Sequence, residues 1–312
     1  MTEASGQHDS RPKLVIGYDG RNASEDALAL GADLCRLLDA RPLVLSVAPW
    51  PRFMHGEDLK VALELDTGEA LQRAAAELSD LDPIVKAVAH RSAAEEIGLV
   101  ARAEEALAIV VGASHRGAVG RIVLGSVGTS LLHGAPCAVA VAPTGYKAGA
   151  AGPPKRVGVA LDDSPDATSV LDAGILLAGR AGGTLSIFSV AETDFYYQRA
   201  IWPAIPLAEM IEFEREQAQR ILDAAVARTP DGLAPEAHLL EGSAREALAE
   251  ATESCDVMIV GSRGHGPLGQ TFLGSVSAAL IDGSRCPVVV LPRSSGLERH
   301  PPAAGAVAES SS

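Results

Sequence analysis

Aromatic residues are scarce in this chain. They make up 4% of its 312 residues, with only two Trp, so any core must be built from Ala, Val, Leu and Ile. Cysteine is scarce too. Cys35, Cys137, Cys255 and Cys286 form no C-x-x-C pair and no metal-like cluster, which argues against a disulfide framework or a zinc site. Cys35 and Cys137 lie in apolar surroundings and read as reduced packing residues. Positive charge is in deficit, with a net charge of −14 and a pI near 5.0. That balance argues against a nucleic-acid backbone or an anionic membrane as general partner. A bound polyphosphate would have to be held locally, by backbone amides and one or two cations. No apolar run approaches the roughly 18–20 residues that span a bilayer. The segment Met1–Lys13 is polar with no apolar core, so it is not expected to be a signal peptide. The expected location is the cytoplasm.

Several chemistries are missing as well. There is no G-x-x-x-x-G-K-[ST] loop to supply a phosphoryl-transfer lysine, no G-x-S-x-G elbow and no H-E-x-x-H. Gly264-x-Gly266-x-x-Gly269 fits the dinucleotide fingerprint, but it follows a fourth strand and not a first. Nothing places a general base beside an activated water, so a binding protein is expected before an enzyme, with no catalytic and no metal-ligating residues.

What is present is a repeated pattern. Gly261, two residues, Gly264, nine residues and Gly274-Ser275 return as Gly112, two residues, His115, nine residues and Gly125-Ser126, offset by 149 residues. Cys137 and Cys286 share that offset, as do Pro143 and Pro292, and the openings Leu14–Asp19 and Val157–Asp162 match more loosely. A period near half the chain means a duplicated domain, and the length suits two. The expected division is a tail at 1–10, domains at 11–143 and 155–293, a Gly/Pro-rich linker at 144–154 and a tail at 294–312, both tails disordered by composition.

Within each half, apolar runs alternate with helical periodicity. In the first half, strands are expected at Lys13–Tyr18, Pro42–Ala48, Pro83–His90, Leu107–Gly112 and Cys137–Ala142. Helices are expected at Asn22–Leu38, Leu59–Leu78, Ala93–Glu105 and from Ser126 to Leu132. The second half repeats this, with strands near 156–161, 184–190, 234–240, 256–261 and 287–291. Such alternation means a parallel, doubly wound α/β sheet covered on both faces. The fifth strands, Ala138–Ala142 and Val288–Leu291, carry no charge to blunt an edge, so they are expected to pair with each other or with another chain, and the whole chain to form dimers.

The glycine pattern lies between a strand and a helix start. Free N–H groups and the macrodipole favour an anion there, glycines admit close approach, and Ser275 or Ser126 can cap the helix or bond a phosphate. Ligands of such sheets bind beyond the carboxyl ends of the strands where strand order reverses. If strands one and four are neighbours, Asp19 or Asp162 meets the glycine loop at one crevice.

These residues resemble the universal stress protein family in its tandem form, over roughly residues 11–293. The pattern G-2x-G-9x-G-[S/T] marks the family's ATP-binding members. The resemblance implies two Rossmann-like domains of the adenine nucleotide alpha hydrolase type, each a five-stranded parallel sheet in the order 3-2-1-4-5. It implies ATP with Mg²⁺. In the second half, Asp162 and the main chain of Val190 would hold the nucleoside, Gly261 would lie against the ribose, and Gly264, Gly274, Ser275 and Val276 would hold the phosphates. The matching first-half positions are Asp19, Val47, Gly112, His115, Gly125, Ser126 and Val127, with His115 standing where the pattern has its second glycine.

Plainer roles stand beside these. Ser126 and Ser275 also suit simple helix caps, Asp19 a turn at Asp19-Gly20 and Asp163 a helix start. Arg116, Arg121, Arg263 and His265 suit solvated loop surface. His55, His90, His133 and His238 show no ligand spacing. Trp50, Tyr196, Tyr197 and Trp202 either cover the site, form an interface or pack a helix. The expected function is an ATP-binding stress-response regulator. The alternatives are a slow ATP hydrolase or nucleotidyl transferase and a nucleotide-free scaffold.

Overall fold

A computed structural model of the protein describes residues 9–49, 57–113, 122–149, 152–193, 207–262 and 275–292. The expected C-terminal tail and all but the last two residues of the N-terminal one lie outside the described residues. So do Trp50, Tyr196, Tyr197, Trp202, and the loops carrying His115, Arg116, Arg121, Arg263, Gly264, His265 and Gly274.

The first half runs β1 (Lys13–Gly17), α1 (Asn22–Leu38), β2 (Arg41–Pro49), α2 (Glu57–Glu77), β3 (Ile84–His90), α3 (Ala93–Ala103), β4 (Ala108–Gly112), α4 (Ser126–Leu132) and β5 (Ala138–Ala142). A one-turn helix, α5 (Tyr146–Gly149), follows. The second half runs β6 (Arg156–Ala160), α6 (Ala167–Ala181), β7 (Thr184–Glu192), α7 (Leu207–Arg228), β8 (Glu236–Gly242), α8 (Ala244–Ala251), β9 (Val257–Gly261), α9 (Ser275–Gly283) and β10 (Val288–Leu291).

Each half is a parallel five-stranded sheet in the order third, second, first, fourth, fifth. The two join into one ten-stranded sheet, β3-β2-β1-β4-β5-β10-β9-β6-β7-β8. At the joint β10 runs antiparallel to β5, with Val288 opposite Val141 and Val290 opposite Val139. The uncharged fifth strands therefore lie in the middle of the sheet, where their main-chain groups are paired.

The central strands are buried on both faces, as parallel strands under crossover helices must be. Leu14, Ile16, Val110 and Ala140 face one layer, with α1 and α6. Val15, Ile109, Val111, Val139 and Val288 face the other, with α3 and α9. The first-domain residue Ile122 donates its N–H to the Ser284 carbonyl at 3.2 Å, tying the halves together on that second side.

The expected linker is docked. Helix α1 carries two buried acids, Asp26 and Asp33. Asp26 accepts the N–H groups of Gly145 and Lys147, both at 2.8 Å, and Asp33 accepts the Tyr146 hydroxyl at 2.9 Å. Burial pushes the Asp33 carboxyl up, and burial with the nearby Asp33 charge pushes the Tyr146 phenol up. The Lys147 ammonium bridges Glu25 at 2.8 Å and Glu77 at 2.7 Å. The start of this segment is thus hooked to the first domain.

On the opposite side of that domain, Glu104, just after α3, binds Lys13 of β1 at 2.6 Å and Lys86 of β3 at 2.5 Å. The hydrogen bonds from Lys13 and Lys86 hold its carboxyl at about 2. A depressed carboxylate stabilises the fold above its unfolded pKa and loses that contribution as pH falls through the folded value. Replacing Glu104 with Gln is expected to cost roughly 1 kcal/mol at pH 7, these pairs being partly solvated. The difference should shrink below about pH 4 and vanish near pH 2, as read by urea denaturation against pH.

Candidate functional site

The two clefts follow from where the strands stop. Gly17 lies opposite Leu45, yet β2 continues to Pro49. The last bond to the first strand's path is Tyr18 N–H to the Leu45 carbonyl, at 3.0 Å. Main-chain groups of alternate residues point to the same side of a strand, so Val47 turns its N–H and C=O towards the space beyond β1. The second half repeats this: Leu161 N–H reaches the Phe188 carbonyl at 2.8 Å, β7 runs on to Glu192, and Val190 faces the corresponding space.

In the first half that space is a cleft of about 350 Å³. Asp19, Val47, Gly112, Gly125, Ser126 and Val127 all line it. Of the first-half candidates only His115 is not described. In the second half Asp162, Val190 and Gly261 line one cleft of about 80 Å³. Ser275 and Val276 open α9, and Ser277 in its first turn donates a hydroxyl bond to the Gly261 carbonyl at 2.8 Å. Gly264 and Gly274 lie outside the described residues.

The second cleft is the narrower, and two larger side chains help to fill it. Aligning the openings puts Asp166 and Val170 of the second half where the first has Ala23 and Ala27. Both larger side chains line the second cleft, and a Cβ added at Gly261 would lie 3.5 Å from Val170 Cγ2 and 3.7 Å from Asp166 Cβ.

The two aspartates share a local role. Asp19 Oδ1 accepts the Arg21 N–H and Asp162 Oδ1 the Ser164 N–H, each at 3.0 Å. Both thus close a side-chain turn before the first helix, the plainer reading offered for Asp19. Beside Asp19, the buried Tyr18 hydroxyl donates to Glu25. Burial first, then the Glu25 carboxylate, pushes that phenol up to about 12. Since Glu25 also binds Lys147, the wall of the first cleft connects to the hooked linker.

The matched glycines Gly112 and Gly261 differ in what surrounds them. A Cβ at Gly112 would sit 1.8 Å from the Ala23 carbonyl oxygen, a backbone atom that cannot swing away. Gly112 is therefore required for packing β4 against α1, whatever else it touches. Gly261 meets only ordinary contacts.

Sequence reasoning missed Ser262. This residue is 1% exposed, lines the second cleft, and its hydroxyl has no hydrogen-bond partner among the described residues. A polar residue directly after the motif's first glycine was the available signal. Among the described residues no group of three or more His, Cys, Asp or Glu could hold a metal ion, and no helix is long and apolar enough to cross a membrane.

Comparison with known proteins identifies this architecture. The profile of the universal stress protein family matches residues 11–143 and again 154–292. The chain belongs to the universal stress protein family, as a tandem pair. Among curated relatives, universal stress protein Rv2005c of Mycobacterium tuberculosis is 28% identical over 313 residues, covering 93% of this chain and 99% of the relative. Rv1996 of the same species is 25% identical, covering 89% and 94%. Among solved structures, a universal stress protein from Archaeoglobus fulgidus superposes with a TM-score of 0.64 at 20% identity, covering 90% of this chain and 98% of that one. A putative one from Pseudomonas aeruginosa gives 0.61 at 18%, covering 91% and 94%. At these identities the structures speak to the fold.

The unequal glycines make a test that needs no ligand. Gly112→Ala should destabilise by about 3 kcal/mol or more, or prevent folding, because backbone must move. Gly261→Ala should stay within about 1 kcal/mol of wild type. Urea denaturation midpoints would read both, and similar losses in the two variants would contradict this packing.

Proposed function

We propose that this universal stress protein is a nucleotide-responsive regulator that binds ATP, with Mg²⁺ on the phosphates, in its C-terminal domain and also in its N-terminal domain. The observation that carries the reading is the convergence, in each half, of three features on one crevice at a strand-order reversal. These are the acid after the first strand, the main chain near the end of the second, and the first glycine of the motif. The notion of a stress-response role comes from the family.

The chemistry of the described walls supports a nucleoside end there. Asp162, Asp166 and Glu192 line the second cleft. Carboxylates accept hydrogen bonds from ribose hydroxyls and repel phosphate. The phosphates would then lie towards the α9 N-terminus, where Ser275 and the Val276 amide begin the helix and the macrodipole favours negative charge. In the first half Gly125, Ser126 and Val127 at the start of α4 take the same part, with His115 as the altered position. The first cleft, at about 350 Å³, falls within the usual range for small-molecule sites. The second, at about 80 Å³, takes a nucleoside only if its walls move apart.

Asp19 and Asp162 each hold a turn amide through one carboxylate oxygen, a placing role that suits binding. Residues 11–143 and 155–293 would act as two sensing domains in one body, joined through β5 and β10, in a homodimeric cytoplasmic protein. Occupancy would order the glycine loops and bias the surface offered to a partner.

Calorimetric titration with Mg·ATP, with mass spectrometry of nucleotide released on denaturation, tests this. We expect adenine nucleotide at up to two per chain. Gly261→Ala should lower affinity at the C-terminal site about tenfold, since the added methyl stands where the ribose would rest. No heat and no co-purifying nucleotide would count against the proposal, and unchanged affinity in Gly261→Ala would contradict the placement.

A further inference from the structure

We infer that the Ser262 hydroxyl is a nucleoside-contacting group peculiar to the C-terminal cleft, left without a partner until ligand arrives, so that the two sites are chemically unequal. This rests on the reading of the clefts as nucleotide sites.

Ser262 directly follows β9. Its main chain is fixed, the N–H donating to the Leu291 carbonyl at 2.9 Å. Its side chain is buried in the cleft wall beside Gly261. Buried serine hydroxyls ordinarily find a nearby carbonyl. Two other serines of this domain do so: Ser277 bonds the Gly261 carbonyl and Ser284 the Cys286 carbonyl, each at 2.8 Å. Ser262 has no such partner among the described residues. An unsatisfied buried hydroxyl destabilises the protein that carries it.

The duplication shows that the fold does not need this hydroxyl. The matching residue is Ala113, buried at 2% exposure. Its N–H donates to the Ala142 carbonyl at 2.9 Å, the counterpart of the Ser262 bond. The strand end is thus built the same way with and without the oxygen. What differs is the cleft, whose first copy presents a methyl group where the second presents a donor and acceptor.

The surrounding carboxylates, Asp162, Asp166 and Glu192, indicate the ligand group it meets. A neutral polar group, a ribose hydroxyl or a base nitrogen, fits that wall, and a phosphate does not. The C-terminal site would then gain one hydrogen bond that the N-terminal site lacks.

The test compares wild type, Ser262→Ala and Ala113→Ser by thermal unfolding of nucleotide-free protein and by calorimetry with ATP and with adenosine. We expect Ser262→Ala to unfold at the same or a higher temperature without nucleotide, and to bind both ligands about tenfold more weakly at the C-terminal site. Ala113→Ser should tighten the N-terminal site and lower the ligand-free unfolding temperature. A lower ligand-free unfolding temperature in Ser262→Ala would overturn the inference, because the hydroxyl would then serve the fold. So would unchanged affinity in Ser262→Ala while wild type binds, which leaves the nucleotide reading standing. Loss of ATP affinity alone, with adenosine unaffected, would contradict the nucleoside contact. Wild type that binds neither ligand would remove the underlying reading and this one with it.

Discussion

The central strand of each half stops before its neighbour does, and the clefts follow from that. With β1 ended at Gly17 and β2 continuing to Pro49, Val47 offers main-chain groups to a space that no strand fills. β6 and β7 repeat the arrangement around Val190. A polar main chain facing an open crevice is a demand for hydrogen bonds that water or a ligand can meet. The aspartate turns, the glycine at the end of the fourth strand and the following helix all border that same space because strand order reverses there.

The joining of the halves sets a second constraint. Antiparallel pairing of β5 with β10 makes one continuous sheet, so each domain supplies the cover for the other's most apolar edge. The outer strands are then β3 and β8, which carry Lys86, Glu236 and Glu241. The sheet's charge pattern thus matches its topology: charged side chains at the rims, Ala and Val at the joint. Helix α1 serves both the first cleft and the linker. Glu25 touches Tyr18 on one side and Lys147 on the other, while Asp26 and Asp33 hold the segment that leads into the second domain.

Much of this was legible in the sequence. The duplicated spacing announced two copies of one domain, and the strand–helix alternation announced the parallel sheet. The meeting of Asp19 with Gly112, and of Asp162 with Gly261, was predictable from the switch-point rule once strands one and four were taken as neighbours. Less legible were features decided by tertiary contact. The strand expected near 234–240 is Glu236–Gly242, two residues later, its ends set by the register with β7 along Ser186–Glu192. The Gly/Pro composition of 144–154 signalled a linker, but Asp26 and Asp33 are acids on a helix that otherwise reads as amphipathic, and only the fold reveals them as its anchor. Motif spacing treats Gly112 and Gly261 alike, whereas one packs against the Ala23 backbone and the other meets only side-chain atoms of Val170 and Asp166 at ordinary contact distances. Cleft size follows the same logic: Asp166 and Val170 against Ala23 and Ala27 is a difference visible in the sequence but meaningless until the helix is seen over the glycine.

The central claim is that main-chain amides bordering the crevice, and not a lysine, receive the nucleotide. Amide hydrogen exchange read by mass spectrometry, with and without Mg·ATP, tests it most directly. The account predicts slowed exchange in peptides covering the end of β7 around Val190 and the start of α9 at Ser275–Ser277, with peptides from the rim strands β3 and β8 unchanged. Protection confined to other surfaces, or no protection at saturating nucleotide, would contradict it.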